Sequence, residues 1–187
     1  SACKKSYTKI SWKPDFERFG TTHFTPDMKD VFFRRCLDIA ALVSGNGKNK
    51  TQVTFCGNKV PVKNWNQYVE SFIQDPFQST EVFKNERWKI TVSRGGEFRQ
   101  WSWVNGIYTK SGGTHVDHLV DQITKKFKQQ IEKKDPDLTI RPSYIKDNIW
   151  IWVNCLIDNP TWDSQTKDNH VTRVSKWGGK YEFTDKD

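Results

Sequence analysis

The spacing of apolar residues predicts three amphipathic helices. Between residues 26 and 43 apolar side chains recur every three or four positions, and Thr25 can cap that helix. A shorter apolar stripe follows Asn64, and the longest one covers residues 114–134. We expect Thr114 to begin the long helix as a capping residue, with acidic residues near its start and lysines near its end. Because a stripe of this length has to be buried, the long helix is predicted to pack on a sheet.

The segments between these helices alternate apolar and polar residues, which is typical of β-strands. The predicted strands are two hairpins at 52–62 and 80–93, a long strand at 98–108, and two more strands at 139–145 and 149–157. Residues 149–157 carry apolar side chains on both faces, which predicts a central strand covered on two sides. Together these elements predict an α/β or α+β domain in which helices pack on a mixed β-sheet.

Composition narrows the class of protein. The chain has 187 residues and a formal charge of +8, with 35% hydrophobic and 14% aromatic residues. This length predicts one domain, and the scarcity of aliphatic residues predicts a core filled largely by aromatic rings. No apolar run in the sequence approaches the ~20 residues of a membrane span. The positive charge is compatible with an acidic or nucleic-acid partner.

No complete active site can be assembled from sequence motifs, since the nucleophile-elbow, zinc-protease and dinucleotide-binding signatures are all missing. His115 and His118 are three residues apart on a predicted helix, so they could present a metal-binding face or could be solvated at its polar edge. Gly112, Gly113 and Thr114 precede the same helix, where they could bind an anion or form a tight turn. Both alternatives are open at this point.

The loop after the predicted central strand is a further candidate, because functional residues often lie where a strand ends. This loop covers residues 158–167 and ends in Lys167. That lysine could bind a phosphate group, and it could equally be a solvated surface lysine. A second group of positive charges lies toward the end of the long helix and could contact DNA or be a solvated helix end. Its members are Lys125, Lys126, Lys128, Lys133 and Lys134.

Several blocks of sequence resemble a known family. Residues 105–107 (NGI), 112–117 (GGTHVD) and 120–123 (VDQI) resemble the helix entrance of the transducer domain of type IIA DNA topoisomerases of the eukaryotic topoisomerase II kind. Residues 151–161 (IWVNCLIDNPT) and 163–167 (DSQTK) are similar to the strand and the Q-T-K loop of that family. Weaker matches in the same order extend the resemblance over almost the whole chain.

The resemblance implies a fold shared with GHMP kinases and a small-subunit ribosomal protein, with a left-handed βαβ crossover in place of the usual right-handed one. It implies that residues 1–20 lead in from a preceding GHKL-type ATP-binding domain, that 21–167 form the transducer domain, and that 168–187 are a C-terminal linker toward a toprim and cleavage region. ATP and Mg²⁺ would be bound mainly by the neighbouring domains. Lys167 would contact the γ-phosphate as a catalytic residue, and Gln165 would help to position it.

The same resemblance implies the partners of the protein and its location. Two subunits would form a homodimer that closes an ATP-operated gate around double-stranded DNA, and the lysines of the long helix would face that DNA. We expect the parent enzyme in the nucleus, or in the cytoplasm if it is viral, and we expect no membrane partner. The chain alone is expected to be inactive, because the family's ATP pocket and cleavage tyrosine are not in it. The alternative is a stand-alone, non-catalytic paralogue that binds DNA or another partner.

Overall fold

The computed structural model describes residues 6–43, 51–75, 78 and 80–184. Its helices are α1 (Pro26–Leu42), α2 (Trp65–Glu70), α3 (Thr114–Lys134) and α4 (Pro142–Lys146), with 3-10 turns at Glu17–Phe19 and Val174–Lys176. Its strands are β1 (Thr54–Phe55), β2 (Asn58–Lys59), β3 (Thr80–Lys84), β4 (Trp88–Arg94), β5 (Arg99–Val104), β6 (Ile107–Tyr108), β7 (Gly112–Gly113), β8 (Ile149–Cys155) and β9 (Asn169–His170). The three predicted helices and the two predicted hairpins are confirmed. Across the described ranges, no helix is both long and apolar enough to cross a bilayer.

The main sheet has the strand order β3-β4-β8-β5-β6. Strand β8 lies at its centre, antiparallel to β4 and parallel to β5. The pairs β3–β4 and β5–β6 are antiparallel. The mixed sheet and the central strand that the apolar pattern predicts are therefore confirmed. Helix α3 lies in the connection between the parallel strands β5 and β8, and the left hand of this crossover stays a prediction of the resemblance.

Helices cover both faces of the sheet. On one face, α3 places Leu119 and Ile123 in the same core as Ile151 and Val153 of β8. On the opposite face, α1 and α2 pack over a second core that contains Trp152 of β8. Successive residues of a strand point to opposite faces, so β8 contributes side chains to both cores. Burial on both sides explains why every residue of this strand except Asn154 is apolar.

Aromatic rings fill much of the second core, as the composition predicts. Trp101 and Trp152 stack with ring centroids 4.8 Å apart and an angle of 11° between their planes. Trp103 packs edge-on against Trp65 and Tyr68. Such ring contacts add about 0.5–1.5 kcal/mol per pair beyond the burial of apolar area. Ring packing therefore compensates for the low content of aliphatic residues.

Two predicted strands differ from the structure. Residues 98–108 contain a hairpin rather than one strand, because Asn105 and Gly106 adopt positive φ angles and turn the chain between β5 and β6. Residues 139–145 run into helix α4 rather than forming a strand, since Pro142 lies in the first turn of a helix, where its missing N–H costs nothing. In both segments a turn or helix-start residue overrides the alternation of apolar side chains.

The start of α3 also differs from the prediction. The residue at the cap position is Gly113, and no side-chain hydrogen bond caps the helix. The Thr114 hydroxyl donates instead to Thr172 O at 2.8 Å. The predicted capping role of Thr114 is therefore wrong, because its hydroxyl bonds to a distant part of the chain.

Residues 168–184 are packed against the domain, which corrects the expected linker at 168–187 for the part that the structure describes. Strand β9 pairs with β7, and Trp177 is fully buried in the same core as α3. Trp177 Nε1 donates to Thr172 O at 2.9 Å, and Trp88 Nε1 donates to Gly179 O at 3.0 Å. The domain therefore continues at least as far as residue 184.

Candidate functional site

The loop of residues 163–168, which carries the Q-T-K sequence, is fixed at its base by backbone pairing. His170 forms an antiparallel bridge with Trp162, which brings the two ends of the loop together. Strand β9 also pairs in parallel with β7, with Gly113 opposite His170. The two ends of the loop are therefore paired with each other, and one of them is also paired with the segment that leads into α3.

Hydrogen bonds within the loop close it into a compact turn. Lys167 N donates to Ser164 O at 3.2 Å, and the Asn169 side chain donates to Asp163 Oδ2 at 2.9 Å. Lys167 has a left-handed backbone with a φ of 61°. This conformation carries modest strain for a residue other than glycine, and it persists where the surrounding contacts enforce it. The backbone of Lys167 is therefore held in one specific conformation.

Gln165, Thr166 and Lys167 are all exposed residues of this loop. Within the described ranges, the Lys167 ammonium group has no acidic partner at ion-pair distance. An unpaired lysine keeps its hydrogen-bond donors available for an anion. The loop can therefore present a cation to a ligand that is held outside this chain.

Gly113 lies where the loop base meets the start of α3. A Cβ atom at this position would meet His170 O at 2.1 Å and His170 N at 2.6 Å, and the φ of Gly113 is 129°. Both the contact and the backbone conformation require glycine. The glycine pair before α3 thus serves close strand pairing, which favours the structural alternative over an anion site.

Two histidines are buried behind the loop base. His115 and His170 are both 0% exposed, and their ring centroids lie 5.1 Å apart. Thr114 Oγ1 is 3.1 Å from His170 Nδ1, and Thr109 Oγ1 is 3.3 Å from His115 Nε2. Each threonine hydroxyl already donates to a backbone carbonyl, so each histidine has to be the donor in these contacts. The other nitrogen of each ring has no partner in the described part of the chain.

Burial keeps both rings neutral. It lowers the pKa of His170 to about 4, and burial together with a weaker repulsion from His170 lowers the pKa of His115 to about 3. A second proton would place an N–H group in the core without an acceptor. The solvated alternative for His115 is therefore wrong. His170 is a site residue that sequence patterns do not indicate, since it lies in a polar stretch without periodicity.

His118 does not combine with His115 into a metal site. Its Nε2 lies 3.2 Å from Tyr181 O and 2.9 Å from Gln122 Nε2, and its ring packs edge-on against Trp177. Its side chain is 17% exposed, so the solvated alternative is wrong for this histidine as well. Among the residues that the structure describes, no group of three or more His, Cys, Asp and Glu side chains could hold a metal ion.

The five lysines predicted to face DNA are not equivalent. Lys125, Lys133 and Lys134 are exposed. Lys126 Nζ donates to Thr184 O. Lys128 Nζ lies 3.6 Å from Glu132 Oε1, so it forms an ion pair with the residue four positions later in the helix. The exposed three are therefore the members of this group that are most available to an outside partner.

Comparison with known proteins identifies relatives of this chain. The family model of DNA gyrase B matches residues 46–177, more than half of the chain. DNA topoisomerase 2 of Arabidopsis thaliana is 36% identical over 194 residues, which cover 98% of this chain and 13% of that protein. DNA topoisomerase 2-beta of Homo sapiens is 35% identical over 192 residues, which cover 97% of this chain and 11% of that protein. The chain thus spans a small part of the length of these relatives.

Solved structures agree with the sequence comparison. The ATPase region of Saccharomyces cerevisiae topoisomerase II matches with a TM-score of 0.80 and 35% identity, over 92% of this chain and 43% of that chain. The ATPase and transducer domains of DNA topoisomerase II from Balamuthia mandrillaris match with a TM-score of 0.82 and 34% identity, again over 92% and 43%. The predicted fold class, helices packed on a mixed sheet, is confirmed. The chain therefore belongs to the DNA gyrase B family and is homologous to the ATPase region of type II DNA topoisomerases.

Proposed function

We propose that this chain is the transducer segment of an ATP-dependent type IIA DNA topoisomerase. In this proposal Lys167 contacts the γ-phosphate of an ATP molecule that a neighbouring domain of the same enzyme binds. The observation that supports it most strongly is the exposed Lys167 on a loop whose two ends are fixed by strand pairing. Homology to the ATPase region of topoisomerase II supports ATP as the ligand.

The loop fits a phosphate group chemically. Lys167 supplies a cation without a competing acidic partner in the described ranges, and a hydrogen bond from a charged donor contributes about 1.5–3 kcal/mol. Gln165, on the same exposed turn, adds neutral amide donors that can orient the phosphate. ATP and Mg²⁺ would be held mainly by the neighbouring domain, where the Mg²⁺ would supply positive charge that neutralises the phosphates.

A cation fixed at the γ-phosphate has two consequences. It stabilises the charge that develops as the phosphate is transferred, so it assists hydrolysis. It also makes the contact between the two domains depend on whether the γ-phosphate is present, because the contact is lost after hydrolysis. Lys167 therefore acts both as a catalytic residue and as a sensor of ATP, which couples ATP turnover to motion of the DNA gate.

The activity of the whole enzyme extends beyond this chain, which spans 11–13% of the curated relatives compared above. We assign residues 1–20 to the lead-in from the ATP-binding domain and 21–184 to the transducer, since the segment after Lys167 packs into the same core. The complete protein is a nuclear homodimer that passes one double-stranded DNA through another. The cleavage region follows the transducer.

The lysines of α3 are the residues proposed to contact DNA. Lys125, Lys133 and Lys134 are exposed, so they can reach phosphates directly, while Lys126 and Lys128 first have to release the contacts they make within the domain. Contacts of this kind are independent of base sequence and weaken as salt is added. They suit a DNA duplex that has to move through the enzyme.

The test of the proposal is Lys167→Ala in the complete topoisomerase, with Lys176→Ala as the matched control. Lys176 is also an exposed lysine, and it lies outside the loop. Loss of one charged hydrogen bond is expected to lower kcat for DNA-stimulated ATP hydrolysis by about tenfold to a hundredfold, and strand passage should slow in parallel. Lys176→Ala should keep normal rates. Normal ATP turnover and strand passage by Lys167→Ala would contradict the proposal.

A further inference from the structure

A buried side-chain contact connects the Lys167 loop to helix α3. His170 lies three residues after Lys167 and is fully buried. Its Nδ1 donates to Thr114 Oγ1 at 3.1 Å, and the Thr114 hydroxyl donates to Thr172 O at 2.8 Å. Thr114 is the first residue of α3. One hydroxyl at the start of this helix therefore holds two residues of the segment that follows the loop.

Packing around His170 leaves this segment little freedom. The His170 ring contacts the rings of both Trp162 and Trp177, with centroid distances of 5.6 Å and 6.2 Å. Its backbone lies so close to Gly113 that no Cβ atom fits between them. Because protein interiors are close-packed, β9 cannot slide along the start of α3 without breaking these contacts together. A displacement of α3 should therefore carry the loop with it.

We propose that Thr114 and His170 are positioning residues for Lys167, and that their hydrogen bond fixes where the loop presents its ammonium group. This inference rests on the proposed function of Lys167. Neither side chain touches the nucleotide, since both are behind the loop base, and they act through the backbone of β9. The same bond provides a direct connection between the nucleotide contact and α3, the helix that carries the exposed lysines.

The experiment compares substitutions on α3 in the complete topoisomerase. Thr114→Val removes the hydroxyl and keeps the shape, whereas Thr114→Ser keeps the hydroxyl. Thr124→Val is the matched control, because the buried Thr124 Oγ1 on the same helix has no hydrogen-bond partner among the described residues. We expect Thr114→Val to lower kcat for ATP hydrolysis about threefold to tenfold with KM for ATP nearly unchanged. Thr114→Ser should recover most of this loss, and Thr124→Val should show none.

A double-mutant cycle with Lys167→Ala distinguishes positioning from a general loss of stability. If Thr114 acts through Lys167, Thr114→Val has little further effect in the Lys167→Ala enzyme. An equal loss in both backgrounds would overturn the inference, as would a normal kcat for Thr114→Val, and both results leave the proposed function intact. Normal activity of Lys167→Ala would overturn the proposed function and the inference with it.

A second pair of variants covers the case in which Thr114→Val unfolds at the assay temperature. His170→Asn keeps an N–H donor near the position of Nδ1, whereas His170→Leu fills the space without a donor. We expect His170→Asn to keep a higher kcat than His170→Leu when thermal unfolding shows that both enzymes are folded. Equal kcat values for the two folded variants would overturn the inference.

Discussion

Acidification is expected to weaken the fold through its two buried histidines. Burial lowers the pKa of His170 to about 4 and that of His115 to about 3, whereas an imidazole in the unfolded chain has a pKa of about 6.5. Above pH 6.5 both rings are neutral in both states, so the folded chain carries no penalty. As the pH falls below 6.5, the unfolded chain binds protons that the folded chain does not. Stability is therefore lost from pH 6.5 down to about 4 for His170 and about 3 for His115.

The size of this effect follows from the two pKa differences. At pH 5.5 each histidine favours the unfolded chain by about 1–2 kcal/mol, so the pair lowers the free energy of unfolding by about 3 kcal/mol relative to pH 7.5. Small domains have a total stability of about 5–15 kcal/mol, so this is a large fraction of it. Aspartate and glutamate side chains of ordinary pKa remain ionised at pH 5.5, so they contribute little to the change in stability between pH 7.5 and 5.5.

Urea unfolding of the 187-residue chain, followed by tryptophan fluorescence at pH 7.5 and 5.5, measures this difference. His170→Asn removes one of the two titrating groups and should reduce the pH dependence by about half. Gly96→Ala, which adds no titrating group and has open space for its Cβ, is the control and should leave the pH dependence unchanged. Equal free energies of unfolding of the unaltered chain at the two pH values would show that protonation of the buried histidines does not destabilise the fold.

Two further predictions concern the anchoring of the fold. Gly113→Ala should lower the free energy of unfolding by about 3 kcal/mol or more, because its Cβ would overlap His170 O. Gly96→Ala has open space around its Cβ and should cost far less. Similar urea midpoints for the two variants would contradict the close approach of Gly113 to His170. Tyr68→Phe should cost about 1–3 kcal/mol, because the Tyr68 hydroxyl donates to the buried Asp38 carboxylate at 2.6 Å, while Tyr144→Phe, at a tyrosine 67% exposed, should be neutral in the same measurement.

Sequence periodicity predicts those elements whose burial is continuous. Helix α3 and strand β8 repeat apolar residues over their full length, so their positions and the mixed sheet follow from the pattern. The apolar pattern predicts the wrong element where a single residue determines the local backbone conformation. Pro142 begins a short helix in a segment that alternates like a strand, and Asn105 turns the chain within another. Residues 168–184 look like a polar linker because Trp177 is buried without a periodic set of apolar neighbours.

The candidate site depends more on resemblance than on pattern. The position of Lys167 after the central strand leaves a phosphate ligand and a solvated lysine as alternatives. The similarity of residues 151–167 to the topoisomerase II family is what favours the first alternative and adds Gln165. The buried bond between Thr114 and His170 could not be predicted, because it joins residues 56 positions apart. The sequence pattern predicts that the Thr114 hydroxyl caps its own helix. In the structure it instead donates a hydrogen bond to Thr172 O, in the segment that follows the loop.

Chemical modification of Lys167 in the complete topoisomerase, measured by mass spectrometry after brief amine acylation, directly reports whether this lysine contacts the γ-phosphate. The enzyme would be compared with bound ADP and with a non-hydrolysable ATP analogue, which differ in the γ-phosphate, and the exposed Lys176 serves as the internal reference. If Lys167 contacts the γ-phosphate, the ATP analogue protects it, ADP does not, and Lys176 reacts equally in both. Equal modification of Lys167 in the two states would show that it does not contact the γ-phosphate.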